Sequence, residues 1–209
     1  MSALDFDTAF EACPLVAILR GLTPPEAADI GLALVEAGFT LIEVPLNSPE
    51  PLSSIGIMQE RFGDRAMVGA GTVLSPHDAE AVAGVGGRFV VSPNTHAPTI
   101  ERTRELGMAS LPGYYTVSEA FTALDAGATA LKLFPADCTP PAMLKAQRAV
   151  LPKDTRVLAV GGINKDNMAE WTAAGADGFG LGSILYKPGK TAESVAADAR
   201  ALLSAIGKA

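Results

Sequence analysis

Two periodicities alternate along the chain. Short runs of four to seven residues, rich in Val, Ile, Leu and Ala, are separated by longer stretches in which apolar positions recur every three or four residues. The short runs predict strands over 15–19, 40–46, 66–70, 88–92, 108–111, 129–134, 156–160 and 178–181. The longer stretches predict helices over 25–37, 50–61, 76–85, 97–106, 116–126, 140–150, 165–174 and 192–206, with a short helix over 4–12 ahead of the first strand. Thr23-Pro24, Ser75-Pro76 and Asn164 sit where helix N-caps belong. Gly38, Gly86, Gly107, Gly127 and Gly175 each stand between a helix and the next strand, the position of a C-cap glycine. Eight strand–helix units predict an α/β fold, a (β/α)8 TIM barrel with a short N-terminal helix, as one domain over residues 1–209. A doubly wound open sheet is the competing architecture, but no G-x-G-x-x-G follows the first strand.

The composition supports a packed core: 48% of the 209 residues are hydrophobic and 19% are charged. Gly, Pro or a charge interrupts every apolar run before it could cross a bilayer. The opening M-S-A-L-D-F-D carries acids where a secretory signal carries Lys or Arg, and Cys13 and Cys138 form neither a disulfide framework nor a metal-binding spacing. A reducing cytoplasm is therefore the expected compartment. The net charge is −7 with no basic cluster, so neither nucleic acid nor a membrane is an expected partner. His77 and His96 have no Cys, Asp or Glu around them at ligand spacing, and no metal is expected.

Candidate chemistry begins at A-L-K-L-F-P, residues 130–135. Lysine is rarely buried unless it is paired or used. Side chains alternate across a strand, so if Leu131 and Leu133 face the helices, Ala130, Lys132 and Phe134 face the barrel interior. The same parity in T-L-I-E-V-P-L turns Leu41, Glu43 and Pro45 inward. A buried Lys–Glu pair could be purely architectural, yet such a pair is often no better for stability than apolar residues of equal size. Perturbed ionisable groups concentrate at functional sites. A desolvated amine can attack a carbonyl to form a Schiff base, and a nearby carboxylate can move the protons. Lys132 and Glu43 are the minimum equipment of a metal-free aldolase.

Other strand ends offer binding groups. Arg20 closes V-A-I-L-R-G and could grip a carboxylate or stand as a surface arginine. Thr72 follows Gly69-Ala70-Gly71, where small residues allow a ligand close to the backbone; an ordinary helix-entry turn is the alternative. Pro93 and Asn94 could be simple loop residues. Gly161-Gly162 after the seventh strand and Gly182-Ser183 after the eighth occupy the two places where barrels commonly bind phosphate.

Seven ordered blocks, A-I-L-R-G, E-V-P-L-N-S-P, G-A-G-T-V-L, S-P-N-T-H, A-L-K-L-F-P, V-G-G-I and G-L-G-S, span the chain. Together they resemble the 2-keto-3-deoxy-6-phosphogluconate/phosphogalactonate aldolase family. The resemblance implies a cofactor-free class I aldolase, usually a homotrimer, that takes a phosphorylated 2-keto-3-deoxy sugar acid and releases pyruvate and glyceraldehyde 3-phosphate. It implies Lys132 as the Schiff-base residue and Glu43 as the proton shuttle. Arg20 and Thr72 would hold the pyruvate-derived carboxylate and its neighbouring oxygens, Pro93 and Phe134 would shape the pocket, and Gly161, Gly162, Gly182 and Ser183 would bind the phosphate. In two places the chain departs from the phosphogluconate branch. Pro45-Leu46-Asn47-Ser48 stands where that branch has Thr-Leu-Arg-Thr, and Val160 replaces a hydroxyl residue before the double glycine. Both departures resemble the phosphogalactonate branch, whose substrate differs in configuration at C4. The alternatives are a phosphogluconate or 4-hydroxy-2-oxoglutarate aldolase, a phosphosugar isomerase on a similar barrel, or a non-catalytic phosphosugar-binding protein.

Overall fold

The computed structural model describes residues 4–207; the remaining residues of the expected 1–209 domain lie outside the described ones. Helix α1 (Phe6–Ala12) leads into β1 (Leu15–Ile18), α2 (Pro24–Ala37), β2 (Leu41–Pro45), α3 (Pro51–Phe62), β3 (Met67–Gly71), α4 (Pro76–Gly84), β4 (Phe89–Val91) and α5 (Ala97–Glu105). The second half runs through β5 (Ala109–Leu111), β6 (Gly113–Tyr114), α6 (Val117–Asp125), β7 (Leu131–Leu133), a 3-10 turn (Ala136–Cys138), α7 (Pro141–Arg148), β8 (Val157–Val160), α8 (Met168–Ala173), β9 (Gly178–Leu181) and α9 (Ala192–Ala205). All five helix-ending glycines have positive φ, from 76° to 111°, where any other residue would strain. Thr23 and Ser75 are N-caps as expected: the Glu26 carboxylate accepts from the Thr23 backbone and hydroxyl, and Ser75 and Asp78 bond reciprocally. Asn164 is not the cap of α8. Its side chain accepts from the Asp166 N–H while Asn167 accepts the Asn164 N–H, and this turn delays the helix to Met168.

All strand pairs are parallel, in the order β5-β4-β3-β2-β1-β9-β8-β7-β6. Among the described residues nine strands replace the eight expected because Pro112, which has no N–H to give a ladder, divides one strand into β5 and β6. The divided strand still closes the barrel. Ser92 donates its N–H to Leu111 O on the β4 side, and Thr129, Lys132 and Phe134 donate theirs to Ser110, Pro112 and Tyr114 carbonyls at 2.8, 2.9 and 3.1 Å on the β7 side. The fold is thus the expected (β/α)8 type, with a strand that extends past Leu111 to Tyr114.

Strand alternation sorts the apolar residues into two cores. Leu131, Leu133, Ile42 and Val44 pack outward with the helices. Val16, Leu41, Met67, Phe89, Ala130 and Leu158 fill the interior with Phe6 and Phe10 of α1. Those two rings lie 5.7 Å apart and stop the N-terminal mouth of the barrel. A Cβ at Gly178 would lie 2.4 Å from Pro14 O and 2.9 Å from the Phe10 ring, so glycine there lets α1 seat. With one mouth plugged by phenylalanines, ligands have access at the C-terminal ends of the strands. Among the described residues no helix is long and apolar enough to cross a membrane.

Candidate active site

Lys132 and Glu43 both point into the barrel, at 8% and 2% exposure. Lys132 sits beside Gly113 and Leu158 of the adjoining strands, and Glu43 beside Ile18 and Gly69. They share a cavity of about 10 Å³ with Val16, Ile18, Val91, Leu111, Leu158, Val160 and Gly180. Burial dominates both titrations. It raises the Glu43 carboxyl above its ordinary range, against the opposing charges of Lys132 and Arg20. It lowers the Lys132 amine, with Arg20 adding to the effect and Glu43 resisting it. Both groups are pushed toward their neutral forms, as imine chemistry requires of the lysine. The Lys132 Nζ lies 4.8 Å from the centre of the Phe134 ring, and Glu43 Oε2 has no hydrogen-bond partner among the described residues.

Gly71 makes room for Glu43. A Cβ at this position would stand 2.8 Å from Oε1 and 2.9 Å from Cδ of the carboxyl. Gly71→Ala is expected to lower kcat by ~10²-fold, the scale of a ~1 Å misplacement of a reacting group, while the barrel stays folded. Steady-state kinetics with a thermal melt checks this, and an unchanged kcat would contradict it.

Above the small cavity lies a cleft of about 370 Å³. Ile18, Val160 and Gly180 line both. The cleft brings together seven of the residues singled out from the sequence: Arg20, Phe134, Val160, Gly161, Gly162, Gly182 and Ser183. Gly161 and Gly162 adopt φ of 114° and 65°, and Asp137 packs so close that a Cβ on Gly162 would fall 2.7 Å from its own Cβ. Gly182 O accepts the N–H groups of both Leu185 and Tyr186, folding the Ser183 turn. The P-L-N-S stretch after β2 braces the loop after β1: Arg20 Nη1 donates to Asn47 Oδ1 at 3.0 Å, and the Gly21 N–H donates to Ser48 Oγ at 2.9 Å.

Thr72 and Pro93 are not among the residues lining either cavity. Thr72 directly follows β3 at φ 57°, a left-handed conformation costly for a β-branched residue. The next residue is anchored by Val73 N–H to Val91 O and by Ser92 Oγ to Val73 O. Pro93 follows β4, so close to β6 that a Cβ on Gly113 would meet its carbonyl at 2.3 Å. The sequence reading missed Ile163, Ile184, Tyr186, Lys187 and Pro188, which also line the cleft. Continuing the G-L-G-S block into I-L-Y-K-P would have found most of them. His77 is exposed 3.8 Å from Glu80, His96 Nδ1 contacts Thr99 Oγ1, and no group of three potential metal ligands occurs among the described residues.

A parallel barrel with a neutral-leaning amine and carboxyl beneath a glycine-lined cleft has the equipment of a class I aldolase. The chain belongs to the KDPG and KHG aldolase family, whose model matches residues 6–197. It is 48% identical to the 2-dehydro-3-deoxy-6-phosphogalactonate aldolase of Escherichia coli K12, over 94% of this chain and 96% of that protein. The KHG/KDPG aldolase of the same strain is 30% identical, over 77% and 75% of the two chains. A solved native KDPGal structure superposes with a TM-score of 0.92 at 47% identity, covering 93% of this chain and 95% of that one.

Proposed function

We propose that this chain cleaves 2-dehydro-3-deoxy-6-phospho-D-galactonate to pyruvate and D-glyceraldehyde 3-phosphate. The observation that carries the reading is the buried Lys132–Glu43 pair opening into a cleft with two glycine turns at its far side. Neutral Lys132 attacks the C2 carbonyl, and Glu43 supplies the proton that lets the carbinolamine lose water as the iminium forms. Glu43 then takes the proton of the C4 hydroxyl. The C3–C4 electron pair moves toward the iminium, the aldehyde leaves, and the enamine accepts a proton at C3. Water then releases pyruvate and restores the amine. Arg20, in the cleft, holds the substrate carboxylate; Thr72, which lines neither cavity, is set at its neighbouring oxygens on the family resemblance alone. Phe134 confines the pyruvyl end, with Pro93, outside both cavities, joined to it on the family resemblance alone, and Gly161, Gly162, Gly182 and Ser183 take the phosphate through backbone and hydroxyl donors.

Preference for the galactonate epimer is supported by the 48% identity to a galactonate enzyme and by the two departures of the sequence. Val160 lines the cleft and offers no hydroxyl, while Asn47 is engaged with Arg20. A site lacking one hydrogen-bond partner for the gluconate epimer disfavours it by up to roughly tenfold. Pyruvate release from the two C4 epimers, assayed in parallel, is expected to favour galactonate in kcat/KM; equal rates or a gluconate preference would contradict the assignment. We further assign the enzyme to the cytoplasm as a homotrimer, on the family resemblance and on its cysteine usage.

A further inference from the structure

Two cations line the cleft, Arg20 and Lys187. Arg20 is tied to Asn47, whereas exposed Lys187 has no carboxylate or hydrogen-bond partner for its side chain among the described residues. The loop that carries Lys187 is nevertheless held firmly. Lys190, three residues on, donates to the carbonyls of Ile184 and Leu185 and pairs with Asp198 of α9. Tyr186, buried beside Lys187, donates its hydroxyl to Glu26 of α2. Pro188 sits so close to the loop after β1 that a Cβ on Gly21 would lie 2.7 Å from its ring. A braced loop thus brings Lys187, whose side chain has no partner among the described residues, to the same cleft as the Gly161-Gly162 and Gly182-Ser183 turns.

The surroundings need that charge. The protein carries a net −7, and the Asp137 carboxylate stands 3.0 Å from where a Cβ on Gly161 would be. A phosphate approaching backbone donors alone would meet an acid at one of the two turns, and a lysine is a compact partner for a phosphoryl dianion. We propose that Lys187 is the charged ligand of the substrate's phosphate, setting the preference for phosphorylated over unphosphorylated 2-keto-3-deoxy acids. This inference rests on the phosphorylated substrate proposed above.

Lys187→Met keeps the stem and removes the charge, and Lys187→Arg restores it. Titration of inorganic phosphate into the full-length protein is expected to show ~10-fold or weaker binding to Lys187→Met than to the wild type, the scale of a hydrogen bond to a charged group, with recovery in Lys187→Arg. With substrate, the ratio of kcat/KM for phosphorylated over unphosphorylated acid is expected to fall by about the same factor, mainly through KM. The KM of the wild type should rise with ionic strength more steeply than that of Lys187→Met. Unchanged phosphate affinity in Lys187→Met, or a parallel loss on both substrates, would overturn the proposal. If the wild type releases no pyruvate from either epimer, the aldolase reading fails, and the phosphate titration alone still decides the role of Lys187.

Discussion

Lys132→Met is expected to abolish pyruvate release, lowering turnover by ~10⁴–10⁶-fold, the scale seen when a covalent nucleophile is removed. Methionine has nearly the length of lysine, and nothing else in the small cavity offers an amine. The loss should not come from unfolding, because burial already pushes both Lys132 and Glu43 toward their neutral forms, so methionine strands little uncompensated charge; a thermal melt checks this. The direction of the Lys132 shift supplies a second readout. Its folded pKa lies below the ordinary 10.5, so between those two values the unfolded chain binds more protons than the native one. Native stability therefore rises with pH through that window. The melting temperature of the wild type is expected to climb relative to Lys132→Met as pH increases toward 10.5. Appreciable turnover by a folded Lys132→Met protein would place the nucleophile elsewhere.

Glu43→Gln is expected to lower kcat by ~10²–10⁴-fold, the usual contribution of a positioned acid–base group. The amide keeps the size of the carboxyl, so the neighbouring Gly71 and the strand register are undisturbed. Forming the iminium, cleaving C3–C4 and protonating the enamine all require a group that alternates between acid and base, and an amide can do neither. KM should change far less than kcat, because the cleft proposed to hold the phosphate is formed by other strand ends. Steady-state kinetics with a thermal melt checks the variant; near-normal turnover in a folded protein would mean that a water or another side chain moves the protons.

Much of this site was legible because strand alternation is a strict rule. Two outward leucines sufficed to turn Lys132 inward, and Ile42 and Val44 did the same for Glu43; both burials follow. The glycine-ended helices were legible for a similar reason, since left-handed φ selects the residue type locally. Pro112 was harder to read. A proline beside a glycine ordinarily ends a strand, and only the pairing of Ser110, Pro112 and Tyr114 with β7 shows the strand continuing beyond it. Asn164 misled for a local reason too: an asparagine can stabilise a turn as readily as a helix start, and Asn167 drew it into the turn. Lys187 could not be separated from other surface lysines by sequence, because its distinction lies in what Lys190, Tyr186 and Pro188 do around it. Thr72 shows the opposite limit. The sequence marked it as a strand-end hydroxyl, but its left-handed backbone is a property of the folded β3–β4 junction.

Trapping with pyruvate and borohydride tests the central claim most directly. Borohydride reduces an iminium to a secondary amine that no longer hydrolyses, so the wild type should lose activity and gain one reduced pyruvyl group per chain. Peptide mapping should place that group on Lys132. The Lys132→Met protein should gain none, and Glu43→Gln should gain it more slowly. An adduct mapped to Lys145, Lys187 or any other lysine, or full activity after treatment, would contradict the mechanism.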